Sequence, residues 1–253
     1  MVRGIVFDLF DTLVDQNHDQ LAPVTIDGRL VGATTPALHA GAHAHFGVEL
    51  PTLEFADLLR SVDQDLRVKT IDQGLELPTL ERFKALGTRL GLNDPLAFGD
   101  EMTEIHMGAL RTAVSVPTHH ESVLVSLAVD FPIGICSNFT HAETARAVLD
   151  DASFSEHLSA VVISEEIGVR KTRPEIFQAV AAGLGLAPKE ILHVGDNLRA
   201  DVGGAKALGM TTVWLTRQVV DPERELANSE GPDPDFALED LVDLPVLVAR
   251  LSV

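Results

Sequence analysis

The sequence predicts an α/β protein: a parallel sheet flanked by helices, interrupted early by a mostly helical block. Two observations carry the prediction. Short apolar runs recur at 4–8, 132–136, 160–163, 191–194 and 211–215, with helical stretches between the later ones. Strands alternating with helices build parallel sheets through right-handed crossovers. Between the first run and the second, from about Thr35 to Val114, the pattern is helical.

The first strand is a short run from Gly4 to Phe7, β-branched at Ile5 and Val6, that ends in Asp8. Residues 23–33 read as a β-hairpin, because Asp27-Gly28 can supply a type I′ turn between the alternating Val24, Ile26 and Leu30. Thr35-Pro36 reads as an N-cap followed by a first-turn proline, and Thr52 as the cap of the next helix. Phe55, Leu58, Leu59 and Val62 then fall at i, i+3, i+4 and i+7, one face of a helix. Further helices are expected near 79–90 and 96–112.

Past Val116-Pro117, helices are expected near 120–128, 141–150, 174–184 and 199–208, each beside one of the remaining strands. Residues 221–234 are rich in Pro, Glu and Asp and read as an exposed loop, and a last amphipathic helix is expected at about 238–251. The expected architecture is a three-layer Rossmann-like core from 1–14 and 115–253, with a helical cap from 15–114 that carries the hairpin. Such an insertion after the first strand would act as a lid that excludes water and sorts substrates.

At 253 residues the chain is long enough for a core plus a smaller domain. A net charge of −19 argues against a phosphate-backbone binder, which would concentrate Lys and Arg on one face. It leaves room for a small anionic substrate in a locally positive pocket. Cys136 is the single cysteine, which excludes an internal disulfide and a thiolate metal cluster. No apolar run approaches the ~20 residues that span a bilayer. No basic segment leads into an apolar signal region, so a soluble cytoplasmic protein is expected.

Four stations of chemically capable residues fall at strand ends: Asp8 with Thr12, Ser137-Asn138, Lys171, and Gly195-Asp196-Asn197 with Asp201. Open α/β sheets place their chemistry at the carboxyl tips of their strands. A carboxylate there can be a nucleophile that splits one displacement into two. Converging carboxylates suit a hard, oxygen-liganded Mg²⁺. Hydroxyl, amide and ammonium groups can neutralise phosphate oxygens in the transition state.

In these four motifs and their order, the chain resembles the haloacid dehalogenase superfamily of aspartate-nucleophile hydrolases. SEEIGVRK and HVGDNLRADVGGAKALGM are similar to its branch with a helical cap inserted after the first motif. The resemblance implies Asp8 as nucleophile and Mg²⁺ ligand, and Thr12 as the residue that holds the turn and orients it. It implies that Ser137 and the backbone of Asn138 bind the transferring group, and that Lys171 balances the charge of nucleophile and phosphate. It gives Asp196 as a metal ligand, Asp201 as ligand or orienter, and the Phe10 carbonyl as a further ligand.

One departure is conspicuous. Phosphatases of the family carry a second aspartate two residues after the nucleophile, which protonates the leaving group and then activates water. Here that position is Phe10. Asp11 lies one residue further, and in an extended segment would point the other way. His119 or His120, at the return from cap to core, could supply a proton, but surface histidines are the simpler expectation. His39 and His43 lie one helical turn apart without an evident third ligand.

Three counts weigh against dehalogenation, in which an aromatic residue at position 10 is usual. The fourth motif is Gly195-Asp196, the chain has no tyrosine, and Arg29, the first arginine to follow the first motif, lies in the expected hairpin. The sequence therefore predicts a Mg²⁺-dependent phosphatase-type hydrolase of a small phosphorylated metabolite. Its runners-up are a 2-haloacid dehalogenase and a weakened binding protein on the same scaffold.

Overall fold

The computed structural model describes residues 1–251. Its main sheet has six parallel strands: β1 (Gly4–Phe7), β2 (Ile133–Ser137), β3 (Ala160–Ile163), β4 (Ile191–Gly195), β5 (Thr211–Leu215) and β6 (Phe236–Leu238). They lie in the order β6–β5–β4–β1–β2–β3. The chain builds outward from β1 in one direction through β2 and β3, and in the other through β4 to β6. The carboxyl tips beside β1 are therefore the switch point, where open α/β sheets form a crevice. Val6 is in register with Gly134 on one side and His193 on the other.

Every residue of β1, β2 and β4 is buried, which accounts for their continuous rather than alternating apolar character. The helix Pro174–Leu184 lays Ile176, Phe177, Val180 and Ala181 against Val6, Cys136 and Ile191. Burial pushes the Cys136 thiol up to about 12, so it packs as a small hydrophobe.

The chain divides into two compact units, Met1–Asp15 with Ser115–Val253, and Gln16–Val114. The second unit contains helices α1 (Thr35–Phe46), α2 (Thr52–Lys69), α3 (Thr79–Arg89) and α4 (Pro95–Thr112). Leu38, Phe55, Leu59, Val62, Phe83, Leu86, Phe98 and Met102 form its core. Truncating one of its fully buried phenylalanines to Ala would cost about 3–5 kcal/mol. Val24–Ile26 and Arg29–Val31 pair antiparallel around Asp27 (φ 46°) and Gly28 (φ 77°). Positive φ at both central positions is the geometry of a type I′ turn.

The structure corrects several local expectations. Thr34, not Thr35, is the N-cap of α1, and Pro51 precedes α2, whose Thr52 bonds His39 Nδ1 through Oγ1 at 3.1 Å. His39 Nε2 donates to the Leu50 carbonyl at 2.7 Å, and His43 Nδ1 to that of Val48 at 3.2 Å, so both imidazoles tie down the α1–α2 connection. The expected loop at 221–234 contains a helix, Pro222–Ala227, because Asp221 caps the Arg224 N–H and proline takes a first-turn position. The strand Phe236–Leu238 was hidden by its three-residue length.

The stretch expected as a helix at 199–208 is a π-helical turn, Leu198–Gly203, followed by a short α-turn. The last helix starts at Leu244 rather than 238, because Asp240 caps a separate 3-10 turn at Leu241–Asp243. Among the described residues, no helix is long and apolar enough to cross a membrane.

Candidate active site

Four of the sequence-derived stations meet at the carboxyl tips of β1, β2 and β4. Asp8 follows β1 directly, and its backbone N–H donates to the Val194 carbonyl at 2.9 Å, which fixes it to β4. The chain then turns tightly. The Leu13 and Val14 N–H groups both donate to the Leu9 carbonyl, and Asp11 adopts φ 57° in the left-handed region. Aspartate tolerates that conformation better than most residues, and glycine better still. Thr12 is fully buried in this turn, with no partner for its Oγ1.

Lys171 is the centre of the constellation. Its Nζ lies 2.7 Å from Asp8 Oδ1 and 2.6 Å from Asp201 Oδ1, and its side chain is 2% exposed. Asn138 places it. The Asn138 Nδ2 donates to the Lys171 carbonyl at 3.1 Å, while its Oδ1 accepts from the Lys171 N–H at 2.7 Å. The side chain of Asn138 thus clamps the lysine loop, a task distinct from the backbone role expected of it. Ser137 ends β2 and is 1% exposed. Ser164 bonds both the N–H and the carbonyl of Phe139, and so fixes the loop after Ser137-Asn138.

Asp201 is not an ordinary first-turn helix acid. It is 1% exposed; besides Lys171, its Oδ1 accepts from His193 Nε2 at 3.0 Å, and its Oδ2 from the Asn197 N–H at 3.1 Å. Asn197 caps the π-turn by accepting from the Arg199 and Ala200 N–H groups. Gly195 makes the approach possible, because a Cβ there would lie 2.3 Å from Asp201 Cγ. The Asp196 carbonyl accepts from Trp214 Nε1 at 2.7 Å, which holds the turn from behind.

The electrostatics are unbalanced. One carboxylate oxygen from each of Asp8, Asp196 and Asp201 falls within 4.8 Å of the others. Burial raises Asp201, but Lys171 and His193 outweigh it and bring the carboxyl to about 2. Burial would lower Lys171, yet Asp201 and Asp8 hold it well above the ordinary ammonium range. Burial raises Asp8, which Lys171 only partly offsets. Asp196 is pushed up to about 8 by burial, then by the Asp8 and Asp201 charges. One ammonium does not neutralise three carboxylates. A hard divalent cation bound by Asp8 and Asp196 would, and the oxygen-only donor set fits Mg²⁺.

A stability prediction follows for the protein without metal. The folded Asp196 keeps its proton up to about pH 8, whereas the unfolded side chain loses it near the ordinary carboxylate value. The folded state then binds more protons across that window, so this group makes stability fall as pH rises from about 4 to about 8. Asp196→Asn removes the loss. In EDTA its melting temperature relative to wild type should rise steadily between about pH 5 and pH 8, and a flat difference would refute the assignment.

Phe10 stacks on Phe139, with centroids 4.4 Å apart and planes at 23°, beside the Asp8 turn. Asp11 lies close enough to raise Asp196 through its charge. Neither histidine at 119–120 joins the Asp8 cluster. His120 is fully buried, contrary to the surface position expected for it, with Nδ1 on the Leu13 carbonyl at 2.8 Å, and burial lowers its pKa. His119 Nε2 pairs with Asp240 at 2.5 Å. In the other unit, Arg29 is held by Asp57 through two hydrogen bonds. Sequence reasoning missed His193 and Ser164. The one available signal for His193 was a polar residue inside an otherwise apolar strand.

A family model for haloacid dehalogenase-like hydrolase matches residues 2–209. The chain belongs to that family. The haloacid dehalogenase-like hydrolases include relatives of more than one named activity. The phosphoserine phosphatase of Thermus thermophilus is 35% identical over 96 residues, 38% of this chain, and the match spans only 36% of that relative's length. The (S)-2-haloacid dehalogenase 4A of Burkholderia cepacia is 25% identical over 230 residues, 89% of this chain and 88% of its own. A 2-haloacid dehalogenase from Pseudomonas syringae superposes with TM-score 0.77 at 18% identity, covering 99% of this chain and 100% of its own, a likeness of fold. The matching family is one of hydrolases, so this chain is a hydrolase on a haloacid dehalogenase-like scaffold.

Proposed function

We propose that this hydrolase is a Mg²⁺-dependent phosphohydrolase of small phosphorylated metabolites, with Asp8 as nucleophile. The convergence of the Asp8, Asp196 and Asp201 carboxylates around a single ammonium carries the reading, because it leaves negative charge that a divalent cation would compensate. A phosphatase among the relatives supports it. The ion, held by Asp8, Asp196 and the Phe10 carbonyl, with Asp201 as a ligand or as orienter of Lys171, would supply charge compensation to the phosphoryl oxygens. Asp201's three hydrogen-bonded partners favour the orienting role.

The chain's own residues account for the displacement. An oxygen of Asp8 attacks phosphorus, the bond to the leaving oxygen breaks, and an aspartyl phosphate forms. Lys171 counters the burial that disfavours the Asp8 carboxylate and aims it, while Thr12 fills the turn as a buried side chain. Ser137 and the Asn138 backbone N–H bind the transferring group. Water then attacks the aspartyl phosphate, giving inorganic phosphate and returning Asp8 as a carboxylate.

What the arrangement lacks is a proton for the leaving oxygen. Phe10 cannot give one, and its ring is occupied with Phe139. Acyl and aryl phosphates need none, because carboxylates and phenolates leave unaided. Losing general acid–base help costs roughly 10²–10⁴ in rate. Acetyl phosphate and p-nitrophenyl phosphate should therefore phosphorylate Asp8 readily in Mg²⁺, glycerol phosphate should do so more slowly by about that factor, and EDTA should abolish all three reactions. Equal rates of Asp8 phosphorylation from alkyl and acyl phosphates would overturn the substrate preference.

A second reading, carbon–halogen hydrolysis by Asp8, is favoured by the aromatic wall of Phe10 and Phe139 and by the dehalogenase relative. Halide leaves without a proton. Chloride release from 2-chloropropionate in EDTA would support this reading and count against the first.

A further inference from the structure

We propose that His119, His120 and Asp240 form a second cation site, separate from the Asp8 cluster, that binds a divalent transition ion of the Zn²⁺ class. One ligand atom from each of the three residues lies within 4.8 Å of the other two. Coordination bonds of about 2.0–2.2 Å would put tetrahedral ligand atoms roughly 3.3 Å from one another, so the hydrogen-bonded His119–Asp240 pair would open by about 1 Å and His120 would need at most a comparable adjustment. His119 and His120 open the helix His120–Ala128, and Asp240 follows β6. The site is thus assembled from two segments distant in sequence. The two imidazoles meet edge to face, with centroids 4.7 Å apart at 86°.

His120 is the independent observation. It is fully buried, and its Nδ1 lies 2.8 Å from the Leu13 carbonyl oxygen. A carbonyl only accepts, so Nδ1 carries the proton. In the neutral ring Nε2 then presents a lone pair, and that atom is buried without any hydrogen-bond partner. A buried polar atom without a partner has given up its hydrogen bond to water, a loss that a bound ion would make good. An imidazole that donates one nitrogen to a carbonyl and leaves the other bare is oriented as metal-bound histidines are.

The remaining ligands are also held. Asp240 Oδ1 accepts from the Val242 N–H at 2.9 Å and pairs with His119 Nε2 at 2.5 Å. On metal binding the His119 proton moves from Nε2 to Nδ1, the Nε2 lone pair goes to the ion, and the Asp240 carboxylate exchanges that hydrogen bond for a coordination bond. No electron transfer is involved. Two imidazoles and a carboxylate select a borderline ion over Mg²⁺, which prefers oxygen alone. Arg217 lies nearby as a competing positive charge, and its bidentate pairing with Asp15 offsets it. Three protein ligands leave a fourth position open to water or a small anion.

The test uses Co²⁺ as a spectroscopic probe of the full chain, stripped with a chelator and then held in excess Mg²⁺ so that the acidic cluster is saturated. The expected result is one equivalent of Co²⁺ with the intense visible absorption of four-coordinate geometry, displaced by one equivalent of Zn²⁺. His119→Ala, at a partly exposed position, and Asp240→Asn, which can keep its cap, should each weaken binding by roughly 10–100-fold or more. Asp196→Asn should bind Co²⁺ as wild type does. Absence of four-coordinate Co²⁺, unchanged affinity in both His119→Ala and Asp240→Asn, or loss of the signal in Asp196→Asn would each overturn the proposal. None of these outcomes depends on phosphohydrolase activity, so the two readings fail separately.

Discussion

Phe10→Asp is expected to raise the rate at which an alkyl phosphate such as glycerol phosphate phosphorylates Asp8 by roughly 10²–10⁴-fold while changing the rate from acetyl phosphate little, since any help to the later attack of water is common to both. The physical basis is the asymmetry between the two leaving groups. An alkoxide is a poor leaving group unless it is protonated as the bond breaks, and a carboxylate is not. The Phe10 ring is directed over Phe139, in the loop that follows Ser137-Asn138. A carboxyl there would lie on the same side of the Asp8 turn as the group-binding residues. The substitution sacrifices an aromatic stack worth about 0.5–1.5 kcal/mol, so some loss of stability is expected alongside the gain. Phe10→Asn is the control, because it makes the same steric change without a transferable proton and should bring no gain. If Phe10→Asp and Phe10→Asn behave alike, the missing acid is not the limiting feature. Asp11→Asn addresses the alternative donor. A selective loss on alkyl phosphates would assign the residual proton transfer to Asp11, and no change would exclude it.

Lys171→Met should be the most damaging single substitution in the core unit. Its ammonium is shared by Asp8 and Asp201, at 2.7 and 2.6 Å, and the Lys171 and Asp201 side chains are both buried. Removing one member of a buried ionic group leaves uncompensated charge and costs about 3–5 kcal/mol. At about 2–4 °C per kcal/mol for a chain of this size, the melting temperature should drop by roughly 10 °C near neutral pH. The drop should shrink as pH falls and the stranded carboxylates take up protons. Activity should fall by about 10³-fold or more, because Asp8 then loses the positive charge that counters its burial and aims it. The double variant Lys171→Met/Asp201→Asn separates the two effects. Removing the facing carboxylate should restore most of the melting temperature and none of the turnover. Recovery of turnover as well would mean that Lys171 acts on folding alone.

The centre of the main sheet is legible because β1, β2 and β4 are buried throughout and so read as unbroken apolar runs between helical stretches. Asp8 stood out for the same reason: an acid that ends such a run has no packing role. The short strand Phe236–Leu238 was not legible, since three residues among acidic neighbours carry no period. The π-turn after Asn197 has the sequence pattern of a helix because 3.6-residue periodicity does not distinguish the two, and what sets the turn is Asn197 bonding two successive N–H groups. At the site, the residue types at strand tips were readable, but their mutual support was not. The clamp of Asn138 on Lys171 spans 33 residues, and the His193–Asp201 contact depends on Gly195 having no side chain. His120 could not be told from a surface histidine until its burial against the Leu13 carbonyl was seen.

The central claim is that Asp8 takes up a phosphoryl group in a reaction that needs a divalent cation. Its most direct test is to mix the protein with acetyl phosphate in Mg²⁺, quench in acid during turnover, and map the modification by peptide mass spectrometry. The predicted result is a phosphoryl group on the peptide carrying Asp8, absent in EDTA and absent in Asp8→Asn. An unmodified Asp8 peptide under conditions of measurable turnover, or turnover that persists in EDTA, would contradict the claim.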